Sequence, residues 1–159
     1  IGFDVKTVIL LYLVYNIVYS MVSYPAGSLS DRFGRRNFLI FGYPVYSLVY
    51  LLFGLVRVPQ QMWYLFGLYG IYSGITEGVE KAFIADIAPP HLRATMIGLH
   101  ATLTGIGLFP ASLLAGLLWN RFGAPAPFFF GSAMGLLAAV GIAFIMQTES
   151  KKDADAAQV

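Results

Sequence analysis

The sequence predicts an all-α fold, a polytopic membrane bundle of five transmembrane helices, on three observations. Hydrophobic residues make up 58% of the chain and charged residues 11%, whereas a soluble domain carries about a quarter charged residues. Stretches free of Asp, Glu, Lys and Arg run from Thr7 to Ser30, Asn37 to Val56, Val58 to Thr76, Ala94 to Asn120 and Phe122 to Thr148. Each is close to the ~20 residues that a helix needs to cross a ~30 Å hydrocarbon layer. Finally, stretches such as FFFGSAMGLLAAVGIAFIM lack the polar and apolar alternation of a barrel strand. Helices are predicted over about 5–30, 37–57, 60–87, 92–120 and 124–147, followed by a polar tail over about 149–159.

The first helix places Asn16 among Tyr12, Tyr15 and Tyr19, a polar face for a neighbouring helix or a solute. A joint at Asp31 to Arg36 follows, where Gly34 permits a reversal and Asn37 is an expected N-cap for the second helix. Pro44 and Pro110 lie inside the second and fourth helices and bend them. On the third, Gly70, Gly74 and Gly78 recur every four residues, as Gly131 and Gly135 do on the fifth, the spacing that lets helix backbones approach closely. Tyr43, Tyr64 and Trp119 fall near span ends and read as interface anchors. All joints are short, so sequence neighbours run antiparallel.

Lys and Arg set the orientation. The first and third joints and the tail hold Arg32, Arg35, Arg36, Arg93, Lys151 and Lys152, against Lys6, Arg57 and Arg121 on the opposite side, which places the first joint and the carboxy terminus in the cytoplasm. The expected location is a bacterial inner (plasma) membrane. The chain begins at Ile1 with no signal-like segment and reads as a piece of a longer one.

Several classes are excluded. There is no cysteine, and the two histidines, His91 and His100, stand nine apart rather than the four that puts two ligands on one helix face; no metal site is expected. No glycine-rich phosphate loop or nucleophilic triad is present, so neither an enzyme nor a cofactor is predicted. The net charge of +2 comes from a few loop arginines and describes membrane orientation, not nucleic-acid binding.

Two charged clusters remain. In GSLSDRFGRRN, Gly27 to Asn37, positive-inside bias explains the arginines but not Asp31. A carboxylate held at the membrane face stabilises the amino-terminal end of another helix and pairs with a guanidinium, forming a contact that is strong when dry and weak when wet. In ITEGVEKAFIAD, Ile75 to Asp86, Glu77 lies ~16 Å from the end of the third span, near the midplane. The eight Leu, Ile, Phe and Val between Leu65 and Ile84 are worth roughly −2 to −5 kcal/mol on insertion, against roughly +8 to +10 for three central charges. Glu77, Glu80 and Lys81 therefore cannot all face lipid. Two readings stand: a buried Glu77–Lys81 pair, four apart with the acid first, or residues lining a wet cavity that handle solute or protons. Glu80 is then the carboxyl suited to exchange a proton, and His100, ~12 Å into the fourth span, is either a relay or a packing histidine.

Gly27, Leu29, Asp31, Arg32, Gly34, Arg35 and Arg36 match GxLxDRxGRR, which resembles motif A of the major facilitator superfamily, and ADIAPPHLRATMIG resembles that family's short crossing between helices ten and eleven, or four and five. The third span lacks the arginine often found there in the amino-terminal half, so the chain resembles helices 8 to 12 of a twelve-helix transporter, without helix 7 and the amino-terminal half. The resemblance implies that Asp31 meets a helix of that other half and that Arg35 pairs with Asp86. It further implies part of a secondary transporter working by alternating access, with Asp31, Arg32 and Arg35 in a gate and the third span lining a central cavity. The expected partners are the lipid bilayer, a small-molecule substrate, a proton or other coupling ion and the missing half. A membrane scaffold that moves nothing, with its charges as internal glue, is the alternative reading.

Overall fold

The computed structural model describes the backbone of residues 3–156 and the side chains of residues 3–141 and 144. Among these, five long helices follow in order: α1 (Val5–Phe33), α2 (Arg35–Leu55), α3 (Gln61–Ile87), α4 (Arg93–Phe122) and α5 (Ala126–Ala156), with a short 3-10 turn at Pro90–Leu92 before α4. The protein is an all-α membrane helix bundle. Three of its helical stretches, Val5–Phe33, Arg35–Leu55 and Pro90–Phe122, are long and apolar enough to cross a membrane. On α3 the run is interrupted by Glu77, Glu80, Lys81 and Asp86.

Local chemistry sets the helix ends. Asp4 caps α1 by accepting from the Thr7 backbone amide at 3.1 Å and from the Thr7 hydroxyl. Those bonds, the hydroxyl's first, hold the Asp4 carboxyl below the usual carboxylate range. Gly34, with φ of +88°, adopts a conformation that a Cβ would strain, and so a single residue separates α1 from α2. Asn37 does not cap α2, which starts two residues earlier; its amide donates back to the Phe33 carbonyl at 3.2 Å. The end of α1 has unsatisfied carbonyls, and the Asn37 side chain is within reach of one. Pro25 is a third proline inside a helix, beside Pro44 and Pro110.

Packing departs from sequence order. The closest associations are α1 with α3, α2 with α5, and α2 with α3, while α4 lies at the edge against α3 and α5. Small residues explain the choice. A Cβ on Gly70 would stand 2.8 Å from the Tyr15 carbonyl oxygen, and one on Gly74 3.0 Å from that of Tyr19; α1 and α3 therefore touch backbone to backbone, in parallel. Gly131 lies under the Tyr50 ring and Gly135 under Tyr46, which joins α5 to α2 in the antiparallel sense. Gly78, third in the α3 series, has open space around it and makes no such approach.

Between α2 and α5, the buried Ser47 hydroxyl donates to the Ser132 carbonyl at 2.8 Å and lies 3.0 Å from its hydroxyl. Hydrogen bonds of this kind between membrane helices are worth about 0.6–2 kcal/mol. Ser47→Ala is expected to lower the thermal midpoint of the detergent-solubilised protein by a few degrees, and Ser112→Ala, on the exposed face of α4, to leave it unchanged.

Candidate functional site

At the Gly34 end, one guanidinium ties three helices together. Arg35, the first residue of α2, donates from Nε and Nη2 to Asp31 Oδ1 on α1 at 3.0 and 2.7 Å. Its Nη1 donates to Asp86 Oδ2 and to the Ala82 carbonyl, both on α3, at 2.7 and 2.9 Å. Gly34 makes this possible: the tight reversal sets Arg35 one helical turn past Asp31 and turned toward α3. The arginine side chain is 25% exposed and each carboxylate 57%, so the cluster is half dry and sensitive to water entry. Arg35 and Asp86 are the partners that the motif resemblance implies. Asp31 also accepts from Arg35 while leaving more than half of its surface open.

Arg32 is exposed beside this cluster, and Arg36 is exposed and engaged. Gly27 sits one turn before Asp31, where its carbonyl accepts from the buried Ser30 hydroxyl at 2.8 Å.

The charges of α3 divide between different neighbours. Glu77 accepts from the Tyr19 hydroxyl of α1 at 3.2 Å and does not pair with Lys81, which points outward without a partner among the described residues. Of the two readings of these charges, the Glu77–Lys81 pair is not formed: the tyrosine one helix away supplies the bond to Glu77, and both charges stay exposed. Glu80 turns toward α4 instead. Its Oε1 lies 3.2 Å from His100 Nε2 on α4, and it closes a small cavity of about 130 Å³ shared with Tyr43, Tyr72 and Thr76. Asn16, expected to bond another helix or a solute, donates instead to the Tyr12 carbonyl one turn back, at 2.7 Å.

A feature not read from the sequence is a continuous aromatic array. Tyr12, Tyr15, Tyr69, Tyr72, Tyr46, Tyr50 and Phe128 form a chain from α1 through α3 and α2 to α5, with successive ring centroids 4.2–6.1 Å apart. The helical spacings of Tyr12, Tyr15 and Tyr19, of Tyr46 and Tyr50, and of Tyr69 and Tyr72 are the signal that the sequence carries for it. Tyr43, read as an interface anchor, is half-buried in the Glu80 cavity, because nearness to a span end says nothing about the direction a side chain faces.

The chain is an all-α membrane bundle with a proline inside each of three helices, an arginine bridging three helices at one end and carboxylates along α3. The chain is a member of the Major Facilitator Superfamily, whose family model matches residues 1–158. It is 39% identical over 137 residues to an uncharacterised MFS-type transporter of Methanocaldococcus jannaschii, a match covering 86% of this chain and 34% of that protein. It is 32% identical over 138 residues to multidrug resistance protein 2 of Bacillus subtilis, covering 86% of this chain and 34% of the relative. With the class C tetracycline resistance protein of Escherichia coli the identity is 30% over 144 residues, covering 89% of this chain and 35% of that one. The chain thus spans about a third of the length of these relatives. No solved structure matches it.

Proposed function

We propose that this chain forms helices 8 to 12 of a secondary active transporter that moves a small solute by alternating access, driven by a proton gradient. The rest of the transporter, including helix 7 and the amino-terminal half, lies outside the chain. One observation carries the reading: Glu77 and Lys81 are exposed on the α1–α3 face, and facing them to lipid would cost roughly 2.5–3.5 kcal/mol each. That face therefore meets water and other protein, as the wall of a central cavity does. The Gly34 end faces the cytoplasm, following the arginine bias, in an inner (plasma) membrane. There, Asp31, Arg32, Gly34, Arg35, Arg36 and Asp86 form the gate, closed when Arg35 bridges α1 to α3. Glu80 belongs to the site that exchanges the proton.

The solute class is amphipathic and drug-sized. Two relatives are named for multidrug and tetracycline resistance, and a tyrosine ladder ending at the Glu77 carboxylate offers ring faces and one negative charge to a flat cation. With the intact transporter in liposomes under an imposed pH gradient, Glu77→Gln is expected to reduce uptake or release of a lipophilic cationic dye at least tenfold. Tyr19→Phe is expected to reduce it about threefold, because it removes only the bond that holds the carboxylate. Dye movement that ignores the gradient removes the proton; no movement of any solute leaves the scaffold reading.

A further inference from the structure

We propose that Glu80 and His100 form a single proton-binding site between α3 and α4, in which the imidazole takes the proton, the carboxylate holds it, and occupancy clamps α4 onto the bundle. The proposal deepens the proton-coupled reading above by adding a second residue and a moving element.

The first support is position. Glu80 stands seven residues before the end of α3, and His100 seven residues after the start of α4, so both lie ~10 Å in from the same end. Their side chains meet at 3.2 Å with 41% and 32% exposure, close enough to share a proton and open enough to exchange one.

The second is how α4 is held within this chain. None of its residues is buried. Gly98, Gly105, Gly107 and Gly116 have nothing within 4 Å of a would-be Cβ, and Pro110 interrupts the helix. Among the described residues of this chain, the contact of Glu80 with His100 is the polar side-chain link between α4 and a neighbouring helix.

The charge surroundings leave the pair to itself. On α3, Glu77 is bonded to Tyr19, Asp86 to Arg35, and Lys81 points outward. From α2 the cavity receives Tyr43, and from α3 Tyr72; α1 and α5 contribute no residue to it. On α4, Arg93 lies ~10 Å away along the helix.

The chemistry follows. An ionised carboxylate only accepts hydrogen bonds, so beside it a neutral imidazole carries its proton on Nε2 and leaves Nδ1 open. A proton arriving on Nδ1 turns a hydrogen bond into an imidazolium–carboxylate pair, which is stronger in a low-dielectric setting. Histidine is the side chain that changes charge between about pH 5 and 8. The clamp is therefore closed when the imidazole carries its second proton and loosens when that proton leaves.

The test needs no solute flux. The chain has no cysteine, so in the intact transporter, with any cysteines elsewhere replaced, spin labels on Ile71→Cys and Phe109→Cys report the α3–α4 distance from two exposed sites. The expected result is a narrow distribution at pH 5.5 that broadens by pH 8.5. His100→Gln should abolish this pH dependence. Glu80→Gln, which removes the carboxylate that holds the proton-bearing imidazole, should leave the distribution broad at pH 5.5 as well. If His100→Gln fails to fold, the Glu80→Gln distance profile decides alone. A parent distribution that does not change with pH, or variants whose profile matches the parent, overturns the proposal, whereas failed transport with an intact profile overturns only the reading of function.

Discussion

Gly74→Leu is expected to separate α1 from α3 and to prevent the protein from reaching its folded state. A single methyl at this position would already stand 3.0 Å from both the Tyr19 carbonyl oxygen and Val22 Cβ, and the backbone partner cannot turn aside as a flexible side chain does. Leucine adds three further carbons beyond that point. Overpacking in a rigid contact costs about 1–3 kcal/mol per small intrusion, so about 3 kcal/mol or more is expected here. Gly70→Leu should do the same, since its Cβ would meet the Tyr15 carbonyl at 2.8 Å. Gly78→Ala serves as the control: it has no neighbour within 4 Å, and alanine favours a helix over glycine by about 1 kcal/mol. Recovery of monodisperse protein and thermal melting in detergent check all three. Parent-like melting of Gly74→Leu would show that the helices do not meet at this surface.

Arg35→Ala is expected to cost transport far more than stability. The guanidinium makes four hydrogen bonds to three acceptor groups on α1 and α3, and its removal leaves Asp31 and Asp86 facing each other across the helix ends. Because both carboxylates are 57% exposed, water compensates much of the loss, and a stability change of about 1–2 kcal/mol is expected. In the proposed gating role, transport should fall at least tenfold, because a gate that no longer locks cannot alternate. Arg35→Lys retains the charge but not the planar fork that reaches Asp31, Asp86 and the Ala82 carbonyl together, so it should not restore full rate. Exchanging the charges of Arg35 and Asp86 should return part of it. Flux in liposomes, read against melting of the same samples, separates the two effects; equal proportional losses in both would reduce the cluster to a structural role.

The tyrosine array and the Glu80–His100 pair mark the limits of sequence reasoning. Depth was readable for each residue, since distance along a helix is fixed by its rise of 1.5 Å per residue. That depth alone already put Glu80 and His100 at the same level. Facing was not readable, because it depends on which helix lies beside which. Short joints suggested neighbours in chain order, yet α1 chose α3 and α2 chose α5. The glycines that made those choices were visible as a spacing, without any mark of the partner. Gly78 shared the spacing of Gly70 and Gly74 and took no part. Asn16 and Lys81 looked like bridging residues and are turned to their own helix and to the outside.

What the sequence determined by itself was the class: long uncharged runs can satisfy their backbone groups in lipid only as helices, so composition and run length sufficed for an all-α membrane bundle. The reversal at Gly34 and the arginine next to it were equally local, since a positive φ and a charge one turn from Asp31 need no distant partner. Tertiary structure alone decided that Glu77 bonds Tyr19 rather than Lys81, that Glu80 meets His100, and that seven aromatic rings form a chain across four helices. Side-chain partners across helices follow from the rotation of each helix about its axis, which close packing at a few glycines sets and one-dimensional spacing leaves open.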